Sequence, residues 1–142
     1  MTTLVVDASV AAKWLIEEDG TEAALRLRGP EYDLVGPDLL FLEVGNVVWR
    51  KVRTGEIEAA DGRAMVAAIL DAPLYVAEST ALLPAAWEIA VGHDSTVYDG
   101  VYLALSVALD APLVTADRRL RRALRGSELA KRILAPEDLS AA

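Results

Sequence analysis

A chain of 142 residues, 54% of them hydrophobic, has the size of one globular domain and enough apolar material for a sizeable core, which argues against a disordered chain. It contains no cysteine, so there is no disulfide framework and no thiolate zinc site, as expected of a protein in a reducing cytoplasm. A formal net charge of −8 argues against a nonspecific nucleic-acid coat, because phosphate binding draws on Lys and Arg.

The start MTTLVVDASV lacks the basic head and long apolar run of a secretion signal. No apolar stretch reaches the roughly 18 residues of a membrane span, so no membrane association is expected. Thr3 to Asp7 is the first predicted strand. A helix from about Ser9 to Glu17 follows, with Val10, Trp14 and Leu15 on one side. Thr21 to Arg28 reads as a second helix closed by Gly29-Pro30. Asp33 to Gly36 makes a short strand, and Pro37-Asp38 opens a long helix carrying LLFLEVGNVVWRKVR, ended by Gly55.

Glu58 to Leu70 is the next helix, and Pro73 precedes the strand LYVAE. Two helices, about Leu82 to Val91 and Val97 to Leu109, flank GHDST. Ala111-Pro112 then leads into the strand LVTAD, a basic helix follows, and Ile133-Leu134 adds a last short strand. Strands alternating with helices predict an α/β fold, a mostly parallel sheet of four to five strands flanked by helices, in one domain over residues 1–142.

Two of these strands end in aspartate, Asp7 after LVV and Asp117 after LVTA. Open parallel sheets bind ligands beyond the carboxyl ends of their strands. If the two strands are neighbours, both carboxylates enter one crevice. Glu43 lies mid-helix, and the positions three and four away hold Leu40, Leu39, Asn46 and Val47, none of them cationic. Asp99 has Ser95, Thr96, Tyr102 and Leu103 at those spacings. Acids on largely apolar faces are costly to bury as anions unless a distant Arg or Lys, or a metal, pairs with them.

Each acid also has a local explanation. Asp7 suits a turn, Glu43 a tertiary salt bridge, Asp99 a capping pair with Thr96, and Asp117 a helix cap or a pair with Arg121. Taken together, the four explain one another. Gathered carboxylates repel, and a divalent cation removes the conflict. All-oxygen ligation with no cysteine and one histidine suits Mg²⁺ or Mn²⁺ better than zinc. Such an ion activates water for attack on phosphorus and stabilises the leaving oxygen, which is the chemistry of phosphodiester hydrolysis. Asp94 and His93, close to Asp99 in the chain, are assigned no role.

The segments LVVDASVAAKWLIEE, GPDLLFLEVGNVVWRKVRTG, STVYDGVYLALS and APLVTADRRL, in that order, resemble the PIN-domain ribonucleases, and most of all the VapC-type toxins of toxin–antitoxin pairs. The resemblance implies one PIN-like nuclease domain in which Asp7, Glu43, Asp99 and Asp117 are catalytic and bind Mg²⁺ or Mn²⁺. It also implies that Ser9, Asn46 and Thr115 orient ligands or water behind them. Gly100 departs from the pattern, because alanine is common there and glycine weakens a helix start.

The implied substrate is RNA, which is awkward for so acidic a chain. Half of the 14 basic residues, however, lie between Arg118 and Arg132. Arg118, Arg119, Arg121, Arg122 and Arg125 are therefore expected to flank the metal centre and hold the RNA backbone. The resemblance further implies a homodimer and a cognate small antitoxin protein whose helical tail lies in an apolar groove, with Trp14, Leu15 and Trp49 as candidate contacts if exposed. The alternative is a noncatalytic PIN-like module that binds RNA or protein. A receiver-like phosphoryl-transfer domain is less consistent, since the one late lysine is Lys131 and Ala8-Ser9 follow Asp7 where another acid is wanted.

Overall fold

A computed structural model describes residues 1–139, so the last three positions of the expected 1–142 domain lie outside the described residues. Leu4, Val5 and Val6 are fully buried, and this unbroken apolar run makes β1 (Thr2–Val6) the central strand of a sheet covered on both faces. It pairs in parallel with β2 (Tyr32–Pro37) on one side and with β4 (Leu113–Val114) on the other. β3 (Tyr75–Ala77) and β5 (Ile133–Leu134) complete the sheet at its two edges. The order β3-β2-β1-β4-β5 is parallel throughout, so the α/β expectation holds.

The order fixes where a site can form. β1, β2 and β3 add in one direction, after which the chain returns to place β4 on the far side of β1. The crevice of such a sheet opens where the order reverses, outside the strand ends between β1 and β4. Asp7 follows β1, and its backbone N–H donates to the Val114 carbonyl at 3.3 Å.

Among the described residues, seven α-helices accompany the strands: α1 (Ala8–Ala11), α2 (Thr21–Arg26), α3 (Leu39–Arg53), α4 (Ala59–Ile69), α5 (Ser79–His93), α6 (Val97–Leu109) and α7 (Arg118–Ala123). The α3 helix ends as expected at Gly55, whose φ of 80° is cheap only without a Cβ. Its start is tied to that of α5: the Leu39 N–H donates to Ser79 Oγ at 3.0 Å and the Ser79 N–H to Asp38 Oδ1 at 3.1 Å. That link starts α5 three residues before the predicted Leu82.

Two expected helices are shorter than predicted. After α1 the chain tightens into a 3₁₀ turn, Ala12–Trp14, because Trp14 is drawn into the core and its indole N–H donates to the Ala24 carbonyl at 2.9 Å. Trp14 is thus no docking residue, and Leu15 packs partly buried against the core; of the three candidates only Trp49 is exposed. The basic segment also divides. α7 stops at Ala123, Gly126 turns the chain with φ 86°, and Lys131 and Arg132 fall in a separate 3₁₀ turn.

Gly100 is explained by packing. A Cβ there would stand 2.3 Å from the Ala86 carbonyl oxygen, a backbone atom of α5. The α5 and α6 helices approach too closely for alanine, so glycine's lower helix propensity is outweighed by the clash it avoids.

Candidate functional site

Asp7 is 7% exposed and Thr115 is fully buried, and the two form the floor of the crevice. Asp7 caps α1 by accepting the Val10 N–H through Oδ1 at 3.2 Å. The same oxygen accepts the Ser9 hydroxyl at 2.6 Å, while Oδ2 accepts the Thr115 hydroxyl. Thr115 in turn receives the Asp117 N–H at 3.0 Å, and Ser9 receives the Ala116 N–H at 2.9 Å. The two strand ends are therefore stitched together through side chains. Burial pushes Asp7 up from its ordinary 3.8 to about 6. The Ser9, Thr115 and Val10 hydrogen bonds oppose that rise, and the Asp117 charge adds to it.

Glu43 points from α3 toward α6, where the Tyr102 hydroxyl donates to Oε1 at 2.6 Å. Burial raises its pKa, the Tyr102 bond lowers it, and the Asp99 charge raises it. Tyr102 itself is pushed upward by burial and by the neighbouring carboxylate, so it remains a donor. The cation that local spacing failed to supply is thus replaced by a neutral hydroxyl.

Asp99 and Asp117 form a more open pair. Thr96 caps α6 by accepting the Asp99 backbone N–H at 3.0 Å, so the capping explanation holds for the backbone while the carboxylate stays available. Asp117 caps α7, its Oδ1 accepting the N–H groups of Arg119 at 2.9 Å and Leu120 at 3.3 Å. One nitrogen of Arg119, Nη2, lies 3.4 Å from Asp99 Oδ2 and 3.4 Å from Asp117 Oδ2. Arg121, the sequence-based partner for Asp117, pairs instead with Asp138 at 3.9 Å.

Asp7, Ser9, Glu43, Asn46, Asp99 and Asp117 all line one cleft of about 640 Å³. Thr115 sits behind that wall. Tyr98, Tyr102 and Arg50 line it too, although sequence reasoning gave them no role. Spacing carried the signal: Tyr102 is three residues after Asp99, and Arg50 is seven after Glu43 on the same helix face. The five arginines do not form one strip. Arg119 turns to the acids; Arg118 and Arg121 line a second cleft with Lys13 and Thr115, and with Arg122 and Arg125 they border a third.

Among the described residues, no three acids converge closely enough to make a ready-built metal cage. The donor chemistry nevertheless fits a hard divalent cation. Two carboxylate oxygens already share a single positively charged nitrogen, and the charges of Asp117 and Asp99 raise the proton affinity of Asp7 and Glu43 respectively, a conflict that a cation resolves.

Residues 4–125 match the PIN domain family model. The chain is 35% identical over 128 residues to the protein named Ribonuclease VapC1 of Mycobacterium tuberculosis, covering 87% of this chain and 92% of that one. Among solved structures it is similar to PAE2754 from Pyrobaculum aerophilum, with a TM-score of 0.71 and 25% identity over 97% of this chain and 86% of that chain. A toxin–antitoxin complex from Klebsiella pneumoniae shares the fold, with a TM-score of 0.62 and 10% identity over 94% of this chain and 97% of that one.

Proposed function

Since this chain belongs to the PIN-domain family, we propose that it is an endoribonuclease, the toxin of a toxin–antitoxin pair, dependent on Mg²⁺ or Mn²⁺. One observation carries the reading: four carboxylates, from the residue after β1, from α3, from α6 and from the cap of α7, line a single cleft at the reversal point of the sheet. A protein that only binds RNA gains nothing from gathering like charges against phosphate. Hydrolysis, by contrast, adds the oxygen of water to phosphorus and breaks one P–O ester bond, and a divalent cation held by gathered carboxylates stabilises the charge that develops. When bound, the ion supplies Lewis acidity toward phosphate and lowers the pKa of water.

The chain's own residues prepare that chemistry. Asp7, Glu43, Asp99 and Asp117 hold the cation. Ser9 and Thr115 lock the Asp7 carboxylate in one orientation, Tyr102 does the same for Glu43, and Asn46 orients ligand or water from the cleft wall. Arg118, Arg121, Arg122 and Arg125 guide the RNA backbone along the clefts they line, with Arg119 at the metal end. Residues 1–142 are read as one nuclease domain. A cytoplasmic setting agrees with the absence of cysteine, and no described helix is long and apolar enough to cross a membrane.

The antitoxin's helical tail is assigned to the apolar groove between α3 and α4, lined by Val48, Trp49, Val52 and Val66. A homodimer would cover the exposed stripe of Leu83, Trp87 and Val91 along α5; a strictly monomeric protein at micromolar concentration would count against it.

The deciding experiment is cleavage of total cellular RNA by purified protein with Mg²⁺ or Mn²⁺, with EDTA, and with Asp7→Asn. Metal-dependent cutting that the variant loses supports the nuclease. Equal activity in the variant identifies a contaminant, and absence of both cutting and metal binding leaves the noncatalytic module.

A further inference from the structure

The five arginines expected to hold RNA include one that the fold has turned elsewhere. Arg119 is the second residue of α7, and its side chain folds back over the helix start to reach Asp117 and, twenty residues away in sequence, Asp99. A single nitrogen serves both acids.

Atom by atom, the arrangement leaves a cation little choice. Oδ1 of Asp117 is committed to the backbone N–H groups of Arg119 and Leu120. Its remaining oxygen, Oδ2, is the one Arg119 takes, and on Asp99 the guanidinium also takes Oδ2. Any metal that draws on both residues must therefore compete with Arg119. The contact is made to yield: 3.4 Å is longer than the roughly 2.7–2.9 Å of a tight charge-assisted bond, and the Arg119 side chain is 59% exposed. It can leave for solvent at little cost.

Resting on the metal-site reading above, we propose that Arg119 is a tethered counter-cation. It neutralises the Asp99–Asp117 pair while the metal is away and is displaced when a divalent ion enters, so it sets the affinity of the site. Such a device lets the fold hold two open carboxylates side by side without an ion, and it requires the metal to exceed a threshold concentration before the cleft is armed. Arg121 takes no part, being engaged by Asp138.

The test is calorimetric titration of Mn²⁺ into the EDTA-stripped full chain, comparing wild type with Arg119→Met, Arg119→Gln and Arg119→Lys. Met and Gln remove the charge with different side chains, so a folding defect in one leaves the other to decide; circular dichroism checks each. The expected result is Mn²⁺ binding tighter by about two- to fivefold for both neutral variants, with Lys close to wild type because the cation is retained. Measurable wild-type binding that is unchanged or weaker in Met and Gln would overturn the counter-cation and leave the metal site standing. No Mn²⁺ binding by any chain would remove the metal reading and Arg119's part with it.

Discussion

Asp7 and Asp117 both stand just beyond the ends of adjacent strands, yet the protein holds them by opposite means. Asp7 is sunk in the core and gripped by two hydroxyls and a backbone N–H. Asp117 lies at the rim with Asp99, answered by a solvent-exposed arginine. The buried half is rigid, and it costs stability because a desolvated carboxylate resists ionisation. The rim half is screened by water and salt and holds almost nothing in place by itself. One half of the cleft is thus built in advance, and the other is left free to exchange its cation.

The comparison breaks first on catalysis. Removing partners behind a ligand typically costs about 10–100-fold, so Thr115→Val should lose that much RNA cleavage, and Asp7→Asn, which removes the proposed ligand itself, should lose more. Arg119→Met, assayed in parallel at saturating Mn²⁺, should lose less; an equal loss would show that Arg119 takes part in cleavage and is more than an exchangeable partner of the rim acids.

Next in size is the packing that carries Asp99. Gly100→Ala forces a Cβ against the Ala86 carbonyl, and separating α5 from α6 should cost about 2–3 kcal/mol in urea unfolding, more than the roughly 1 kcal/mol that alanine returns in helix propensity. A neutral result would mean that the two helices slide apart easily and that the rim tolerates movement of its own support.

A smaller effect sharpens the cost of the floor. Folding raises Asp7 from 3.8 to about 6, so between those values the folded state keeps a proton that the unfolded chain has released. Stability contributed by this group is therefore present below 3.8 and lost as pH rises through about 6. In metal-free protein, Asp7→Asn should match wild type in acid and exceed it at neutral pH by about 1 kcal/mol. The upper bound is near 3 kcal/mol, reduced because an asparagine NH₂ must turn one hydroxyl around. Melting temperatures across pH, measured in EDTA, check the sign.

The smallest effect belongs to the rim. Arg119→Met should change metal-free stability by less than about 1 kcal/mol, and added salt should shrink even that difference, whereas salt should leave the Asp7 contribution nearly intact. Thermal melts at low and high ionic strength separate the two.

Much of this was legible in the chain alone. The unbroken apolar run LVV read as a buried strand, the 3.6-residue pattern of LLFLEVGNVVWRKVR as α3, and Val97–Leu109 as α6, because hydrophobic period and caps act over a few residues. The four acids were also visible, Asp7 and Asp117 after predicted strands and Glu43 and Asp99 on helices with no cation at helical spacing. The sequence determined these things because burial and local hydrogen bonding impose them wherever the chain folds. Tertiary structure alone decided the rest: that Trp14 ends its helix by entering the core, that Gly100 answers a carbonyl on another helix, and that Glu43 meets Tyr102. It also decided that Arg119, rather than Arg121, faces the acids. Those choices depend on distances between residues far apart in the chain, set only when β4 returns beside β1 and brings their strand ends within hydrogen-bonding reach.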